Sequence, residues 1–236
     1  MHDVNKATPN ATSAFVSVIT CTNRLDYMDN VFNNFTKQKY KRKELIVILN
    51  NNKMDIEIWR KMSHSSSDIK IYQLDENISL GECLNFAVLQ SDSEFIAKFD
   101  DDDYYGPDYL RDSIKAFKHA EAGVVGKRSN YVFFEEFNIL ALRSPHRENC
   151  YVEHLDGPSL IIKREVFDHV KFRDITRGED KYFCKDCINV GIKLYSTNRF
   201  HHVYIRHKKS QQHTWTIKNK DLLRTCKVIA KDVNDF

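Results

Sequence analysis

Glu94-Phe95-Ile96-Ala97-Lys98-Phe99-Asp100-Asp101-Asp102-Asp103 passes in one step from an apolar run to four consecutive carboxylates. A short, continuous apolar run bounded by polar residues reads as a fully buried strand. Four adjacent carboxylates repel one another, and folding alone gives no reason for them at a strand end. They mark a place where positive charge is to be met.

The same pattern extends toward the N-terminus. Residues 15–20 (FVSVIT) read as a buried strand that stops at Cys21-Thr22-Asn23-Arg24, and residues 26–36 place Tyr27, Val31, Phe32 and Phe35 at helical spacing. A strand at 44–49 runs into Asn50-Asn51-Asn52, followed by a helix at 55–62, a strand at 69–74 and a helix at 79–90. Four strands alternating with helices predict an α/β fold with a mainly parallel central sheet, covered on both faces. Ligands of such sheets bind beyond the carboxyl ends of the strands. Three polar clusters fall there, and they make Thr20, Asn23, Arg24, Asn50, Asn51, Asp100 and Asp101 candidate ligand contacts.

The C-terminal half reads differently. Gly106-Pro107 opens a helix to about residue 120. β-rich segments follow at 130–142 and 159–163, then a helix beginning near Gly178-Glu179-Asp180 and a strand near 202–206, which together predict a small antiparallel extension.

Composition narrows the function classes. The 236 residues carry 36 Lys and Arg against 33 Asp and Glu, a net charge of +3, and 42% hydrophobic with 29% charged residues is a globular balance. No apolar run reaches the ~18–20 residues that cross a bilayer, and residues 1–10 lack the apolar core of a signal peptide, so a cytoplasmic protein is expected. Six scattered cysteines without framework spacing read as reduced thiols, with Cys184 and Cys187 as two thiols on one helix. From residue 193 onward ten Lys and Arg face three Asp, a basic end containing Tyr204, Arg206, His207, Lys208, Lys209 and Trp215. Nucleic acid is not the expected partner, because a tetra-aspartate at the site repels polyphosphate.

Hard divalent cations, Mn²⁺ or Mg²⁺, suit the acidic cluster, and alternation on an extended segment points Asp100 and Asp102 the same way. Asp103 is free to cap the helix starting near Pro107 or to hold the turn. A solvated acidic turn is the bland alternative, and a metal nuclease or a nucleotidyltransferase would also cluster carboxylates. Glu179 and Asp180 read either as catalytic acids or as charges complementing a helix N-terminus.

In order, Val16-Ser17-Val18-Ile19-Thr20 with Asn23-Arg24, the 44–52 strand and turn, Leu80-Gly81 through Leu84-Asn85, Asp100 to Asp103 with Pro107 and Leu110, Asp156-Gly157-Pro158, Phe172, and Gly178-Glu179-Asp180 resemble the inverting family 2 glycosyltransferases of GT-A fold. The likeness covers nearly the whole chain, and it rests on seven pieces in order, each weak alone. It implies one GT-A domain at 15–215, with a nucleotide-sugar-binding half at 15–105 and an acceptor half at 106–215, between a polar tail at 1–14 and a basic C-terminal helix or tail at 216–236. It implies metal-dependent transfer of one sugar from a nucleotide-diphosphate sugar, with inversion, to a carbohydrate, lipid-linked glycan or protein hydroxyl. Bacterial surface or spore glycan synthesis would suit such an enzyme.

The resemblance also implies roles. Asp102 becomes the direct metal ligand and Asp100 a ribose or second metal contact, while Asp180 becomes the general base and Glu179 orients base or acceptor. Asn85, at the end of the Leu80-Gly81 to Leu84-Asn85 piece, becomes a contact of the nucleotide-sugar donor, and Gly157 permits close approach to the acceptor or the transferred sugar. A further metal ligand falls on His207 or His213, with His213 preferred because His213-Thr214-Trp215 is a short polar stretch closed by an aromatic anchor. Two features depart from the family. Asn50-Asn51-Asn52 stands where an acidic residue commonly reads the base, so a UDP-sugar is the preferred donor but the base stays open. No basic residue lies near Asn85, leaving Lys98, Arg24 or Lys127 to supply that charge, although Lys98 also reads as solvated. A nucleotidyltransferase, and a degenerate relative that only binds nucleotide or a partner, remain the alternatives. The basic segment at 218–231 offers itself to an acidic membrane surface, to a second copy as a homodimer, or to its own domain.

Overall fold

The computed structural model describes residues 14–63, 66–208 and 215–233. Its first half alternates as expected: β1 (Val16–Thr22), α1 (Met28–Thr36), β2 (Lys43–Leu49), α2 (Ile56–Met62), β3 (Ile69–Gln73), α3 (Leu80–Leu89) and β4 (Phe95–Lys98). The second half adds β5 (Tyr104–Tyr105), α4 (Tyr109–Ala116), β6 (Val124–Gly126), β7 (Asn130–Phe134), β8 (Ile139–Arg143), β9 (Cys150–Val152), β10 (Ile161–Lys163), α5 (Glu179–Asn189), β11 (Leu194–Ser196), β12 (His202–Arg206), α6 (Asn219–Arg224) and β13 (Lys227–Lys231).

Eight strands form the main sheet in the order β3-β2-β1-β4-β10-β6-β11-β9. The pairs β3–β2, β2–β1 and β1–β4 are parallel, with Val18 opposite both Leu45 and Ala97. The chain steps outward from β1 through β2 to β3, then returns to the other flank of β1 as β4. That reversal opens a crevice at the carboxyl ends of β1 and β4, where Thr22 and Asp100 emerge. Strand β10 runs antiparallel to both neighbours.

Alternation along the strands divides the core. Val16 and Val18 of β1 with Leu45, Val47 and Leu49 of β2 face a layer containing Phe32 and Phe35 of α1, Trp59 of α2 and Leu110 of α4. Ile19, Ile46 and Ile48 face the opposite layer, with Leu84 of α3 and Phe183, Cys184 and Cys187 of α5. Both faces are thus apolar, as a parallel sheet between helices requires. The α3 helix starts where Ser79 caps the Glu82 N–H, and α2 where Asp55 caps Glu57.

A second, mostly antiparallel sheet in the order β13-β8-β7-β12-β5 forms the extension beside the crevice. It corrects one expectation. The segment at 218–231 is not a single basic helix: six residues form α6, and β13 then pairs antiparallel with β8, so this end of the chain is an edge of the second sheet. The cause is the non-local ladder to β8, which overrides local helical character. Among the described residues no helix is long and apolar enough to cross a membrane, and no cysteine is paired.

Candidate active site

A cavity of about 1130 Å³ opens where the carboxyl ends of β1, β2 and β4 face the second sheet and the start of α5. Asn23, Arg24, Asn50, Asn51, Asp100, Asp101, Asp102, Gly157, Glu179 and Asp180 all line it. The acidic corner is divided by function. Asp103 is fully buried and points away: its Oδ1 accepts from the Ile205 N–H at 2.9 Å and its Oδ2 lies 3.2 Å from His202 Nε2, which fastens the corner to β12. Asn30 and Asn34 of α1 donate to the carbonyl of Asp103 at 3.0 and 2.8 Å, fixing the turn from the other side.

Arg24 answers the two middle carboxylates. Its Nε donates to Asp101 Oδ2 at 3.0 Å, a second guanidinium nitrogen reaches Asp101 Oδ1, and Nη1 donates to Asp102 Oδ2 at 2.8 Å. The Thr22 hydroxyl adds a bond to Asp101 Oδ2 at 2.5 Å. Asp102 also has His207 Nε2 3.4 Å away, while His207 Nδ1 lies 3.0 Å from Glu135 Oε1. Burial alone would raise the Asp102 carboxyl, but the hydrogen bonds from His207 and Arg24 outweigh it and hold the group down at about 2. Asp102 is therefore ionised at neutral pH, the state a hard cation needs.

The other cation is Lys98. Its side chain is 3% exposed, pairs with Asp100 Oδ1 and lies 4.0 Å from Glu179 Oε1. Lys98 is thus not solvated: a buried ammonium is retained because two carboxylates, from β4's end and from α5, compensate its desolvation. Burial would lower its pKa, and the Asp100 and Glu179 charges raise it instead. Glu179 is pushed up to about 7, chiefly by burial, against the opposing charge of Lys98.

Asp180 occupies the first turn of α5. Its Oδ2 accepts from the Gly157 N–H at 3.1 Å and its Oδ1 from its neighbour Lys181 at 2.7 Å. A Cβ on residue 157 would stand 2.6 Å from Asp180 Oδ2, so the close approach demands glycine. Gly178, at φ +76°, turns the chain into the helix just before the pair. Tyr105 joins the two sides of the cleft: its hydroxyl accepts from the Asp100 N–H at 2.8 Å and donates to the Pro158 carbonyl at 2.7 Å.

Two expected contacts lie elsewhere. Thr20 is buried on the face of β1 that carries Val16 and Val18, and it does not line the cavity; Thr22 shares that face but is the last residue of the strand, and from there its side chain reaches the site. Asn85 is a clasp: Nδ2 donates to the Phe172 carbonyl at 2.8 Å and Oδ1 accepts from the Phe172 N–H at 3.0 Å. Lys127 is also buried away from the cavity, donating to Thr197 Oγ1 and the Asn198 carbonyl. At the carboxyl end of β2, Asn50 Nδ2 donates to the Asp75 carbonyl, Asn52 Nδ2 to the Asp75 carboxylate and Asn51 Nδ2 to the Asn23 carbonyl. His213 lies outside the described residues, while His207 stands beside Asp102. Unforeseen in the sequence were Tyr105 and Glu135, while Thr22 stood within the strand-end cluster without being singled out; Tyr105 lies two residues past the acidic corner, which is the signal that would have found it.

Such a fold and cleft define a GT-A-type α/β protein. The chain belongs to glycosyl transferase family 2, whose sequence model matches residues 17–235. Among solved structures it is similar to S. aureus TarS 1–349 in complex with UDP-GlcNAc, with a TM-score of 0.65 at 19% identity over 89% of this chain and 64% of that one. It is also similar to the mannosyltransferase PcManGT from Pyrobaculum calidifontis in complex with GDP-Man and Mn²⁺, with a TM-score of 0.61 at 16% identity over 85% of this chain and 59% of that one. At these identities the likeness is one of fold, and the chain spans less than two thirds of either neighbour. No curated protein sequence matches the chain.

Proposed function

We propose that the chain is a metal-dependent inverting glycosyltransferase that moves one sugar from a nucleotide-diphosphate sugar, a UDP-sugar first, to an acceptor hydroxyl. The observation that carries this reading is that Asp102 and Asp180 line one cavity, with Asp180 Oδ2 held by the Gly157 N–H. Support for the donor class comes from the neighbours, one solved with UDP-GlcNAc and the other with GDP-Man and Mn²⁺.

The residues present fit a divalent cation. Asp102 is kept ionised and has an imidazole beside it, a donor set that an ion completed by phosphate oxygens would suit. Asp102, with His207 next to it, would hold that ion, which when bound neutralises charge developing on the diphosphate leaving group.

The chain supplies the rest. Arg24 and Lys98 hold the corner carboxylates in place and balance their charge. Asp180 takes the proton of the acceptor hydroxyl as that oxygen attacks the anomeric carbon. One displacement from the face opposite the leaving group inverts the sugar. Glu179, anchored toward Lys98, shapes the floor on which the acceptor rests.

A thermal-shift panel of UDP-GlcNAc, UDP-glucose and GDP-mannose, each with and without Mn²⁺, followed by nucleoside diphosphate release, tests this. The expected result is metal-dependent stabilisation by one donor. Asp180→Asn should keep that stabilisation and lose at least ~100-fold in release, the span general-base catalysis contributes. Undiminished release by Asp180→Asn would remove Asp180 from the role, and stabilisation by no donor would favour a non-catalytic binding protein.

A further inference from the structure

The mechanism above leaves one wall of the cavity without a task, and that wall holds an anomaly. Asn130 begins β7, is 1% exposed and lines the cavity, yet among the described residues neither its Oδ1 nor its Nδ2 has a hydrogen-bond partner. A buried primary amide with both ends unpaired is costly and rare, so a native chain that keeps one calls for an explanation. Its surroundings suggest one. Asn130 is the register partner of Arg143 on β8, so the two side chains share a face of the second sheet. The Arg143 guanidinium lies 5.1 Å from the ring centroid of Trp215 and 3.3 Å from Asp156 Oδ2. Trp215 is 43% exposed and lines the same cavity, and its backbone carbonyl is held by the fully buried Arg206. The residue after Asp156 is Gly157, whose N–H fixes Asp180. The wall is therefore continuous with the carboxylate assigned as base, and it belongs to the second sheet rather than to the strand ends that carry Asn50 and Asn51.

We infer that Asn130 and Trp215, braced by Arg143, form the acceptor subsite, and that the group they take is a neutral pyranose ring. This deepens the glycosyltransferase reading and rests on it. A primary amide offers an acceptor oxygen and a donor nitrogen side by side, which matches two vicinal sugar hydroxyls, each able to donate and accept. An exposed indole backed by the Arg143 guanidinium offers a flat apolar surface for the C–H face of the ring, and with two side-chain torsions it has little freedom to lose. Arg143 is committed to Asp156, and Arg128 lies 3.6 Å from the same carboxylate, so neither of these two cations is left over to call for a phosphate or a carboxylate on the acceptor. A prenyl chain has no use for a paired donor and acceptor beside an aromatic plate, and a peptide, whose backbone could pair with the amide as Phe172 does with Asn85, has no flat C–H face to lay on the indole.

Saturation-transfer NMR on the full chain with UDP and Mg²⁺ tests this. The probes are methyl β-glucopyranoside, methyl α-mannopyranoside and the tripeptide Gly-Ser-Gly. Ring-proton saturation of at least one glycoside is expected, falling five-fold or more in both Asn130→Leu and Trp215→Ala, with none for the tripeptide. Asn130→Leu should also melt higher than the parent, because it deletes two unpaired polar atoms, an outcome that an amide with merely structural bonds would reverse. Should that buried variant not fold, Trp215→Ala, altering an exposed ring, decides alone. Glycoside saturation unchanged in these variants, or saturation of the tripeptide in place of the glycosides, overturns the inference. UDP-dependent thermal stabilisation of the parent is read in parallel: its absence counts against the glycosyltransferase reading, while the glycoside signals still decide the subsite.

Discussion

Glu179 shows how one side chain records its surroundings. It is buried, 4.0 Å from the Lys98 ammonium, and pushed up to about 7 from an ordinary value of 4.5, mainly by burial. A carboxyl whose folded pKa lies above its unfolded value binds more protons in the native state between those two values, so stability falls as pH rises from about 4.5 to about 7. Each unit of such a difference is worth about 1.4 kcal/mol. Urea titrations at intervals from pH 4.5 to 7.5 should show this decline, and Glu179→Gln should flatten it. A decline of equal slope in the variant would place its origin elsewhere. The neighbouring Lys98 was legible in the sequence only as an alternating strand residue, for which water is the usual environment. Its burial depends on a carboxylate 81 positions later, and no local pattern carries that information.

At the scale of elements, α3 holds the approach to α5 in place. A Cβ on Gly81 would come 1.8 Å from the Arg173 carbonyl, the Gly81 N–H donates to the Ile175 carbonyl at 3.1 Å, and Asn85 pairs with both backbone groups of Phe172. The Leu80-Gly81 to Leu84-Asn85 piece, which the family resemblance brings into the donor site, is thus the dock for the 172–178 loop that delivers Glu179 and Asp180. Asn85→Ala should destabilise the chain by about 1–3 kcal/mol, the range for partners left unsatisfied. It should also hasten proteolytic cleavage within 172–178 under native conditions; cleavage at the parental rate would show that the loop is held without the clasp. Helices α1 to α3 and strands β1 to β4 were readable because each buries a face with its own period. The three-residue strands β6, β9 and β11 were not, since their hydrogen bonds run to strands distant in sequence and three residues show no period, whereas β10 showed as the apolar stretch within 159–163. The reading of residues 227–231 as helix failed for the same reason, their partner being β8. The acidic corner was readable as a site because four like charges have no local explanation, whereas the division of labour within it, Asp103 inward to β12 and Asp102 toward the cavity, is set by tertiary partners.

For the whole molecule, the proposed division of roles between Asp102 and Asp180, from distant parts of the chain, requires that the acidic corner and the turn at Gly157 be aligned. Tyr105 supplies a direct link: one hydroxyl bridges the Asp100 N–H and the Pro158 carbonyl, next to the glycine that seats Asp180. Its ring is stacked on Phe99 at 3.7 Å, so Tyr105→Phe keeps the packing and removes only the bridge. Tyr109 provides a matched comparison, since it is equally buried and its hydroxyl donates to the Ser159 carbonyl at 2.8 Å without touching the acidic corner. Both phenylalanine variants leave a buried polar partner unpaired and should lose about 1–3 kcal/mol. Only Tyr105→Phe frees the corner to shift against the turn that carries Gly157, and misplacement of reacting groups by about 1 Å can cost ~100-fold in rate. With the donor identified by the panel above, Tyr105→Phe should therefore lower kcat by roughly tenfold or more with the donor KM little changed, while Tyr109→Phe keeps kcat near the parental value at a similar loss in urea midpoint. Equal kcat losses in the two variants would mean that general softening of the core sets the rate, and alignment of the corner with the turn would then have to come from other contacts.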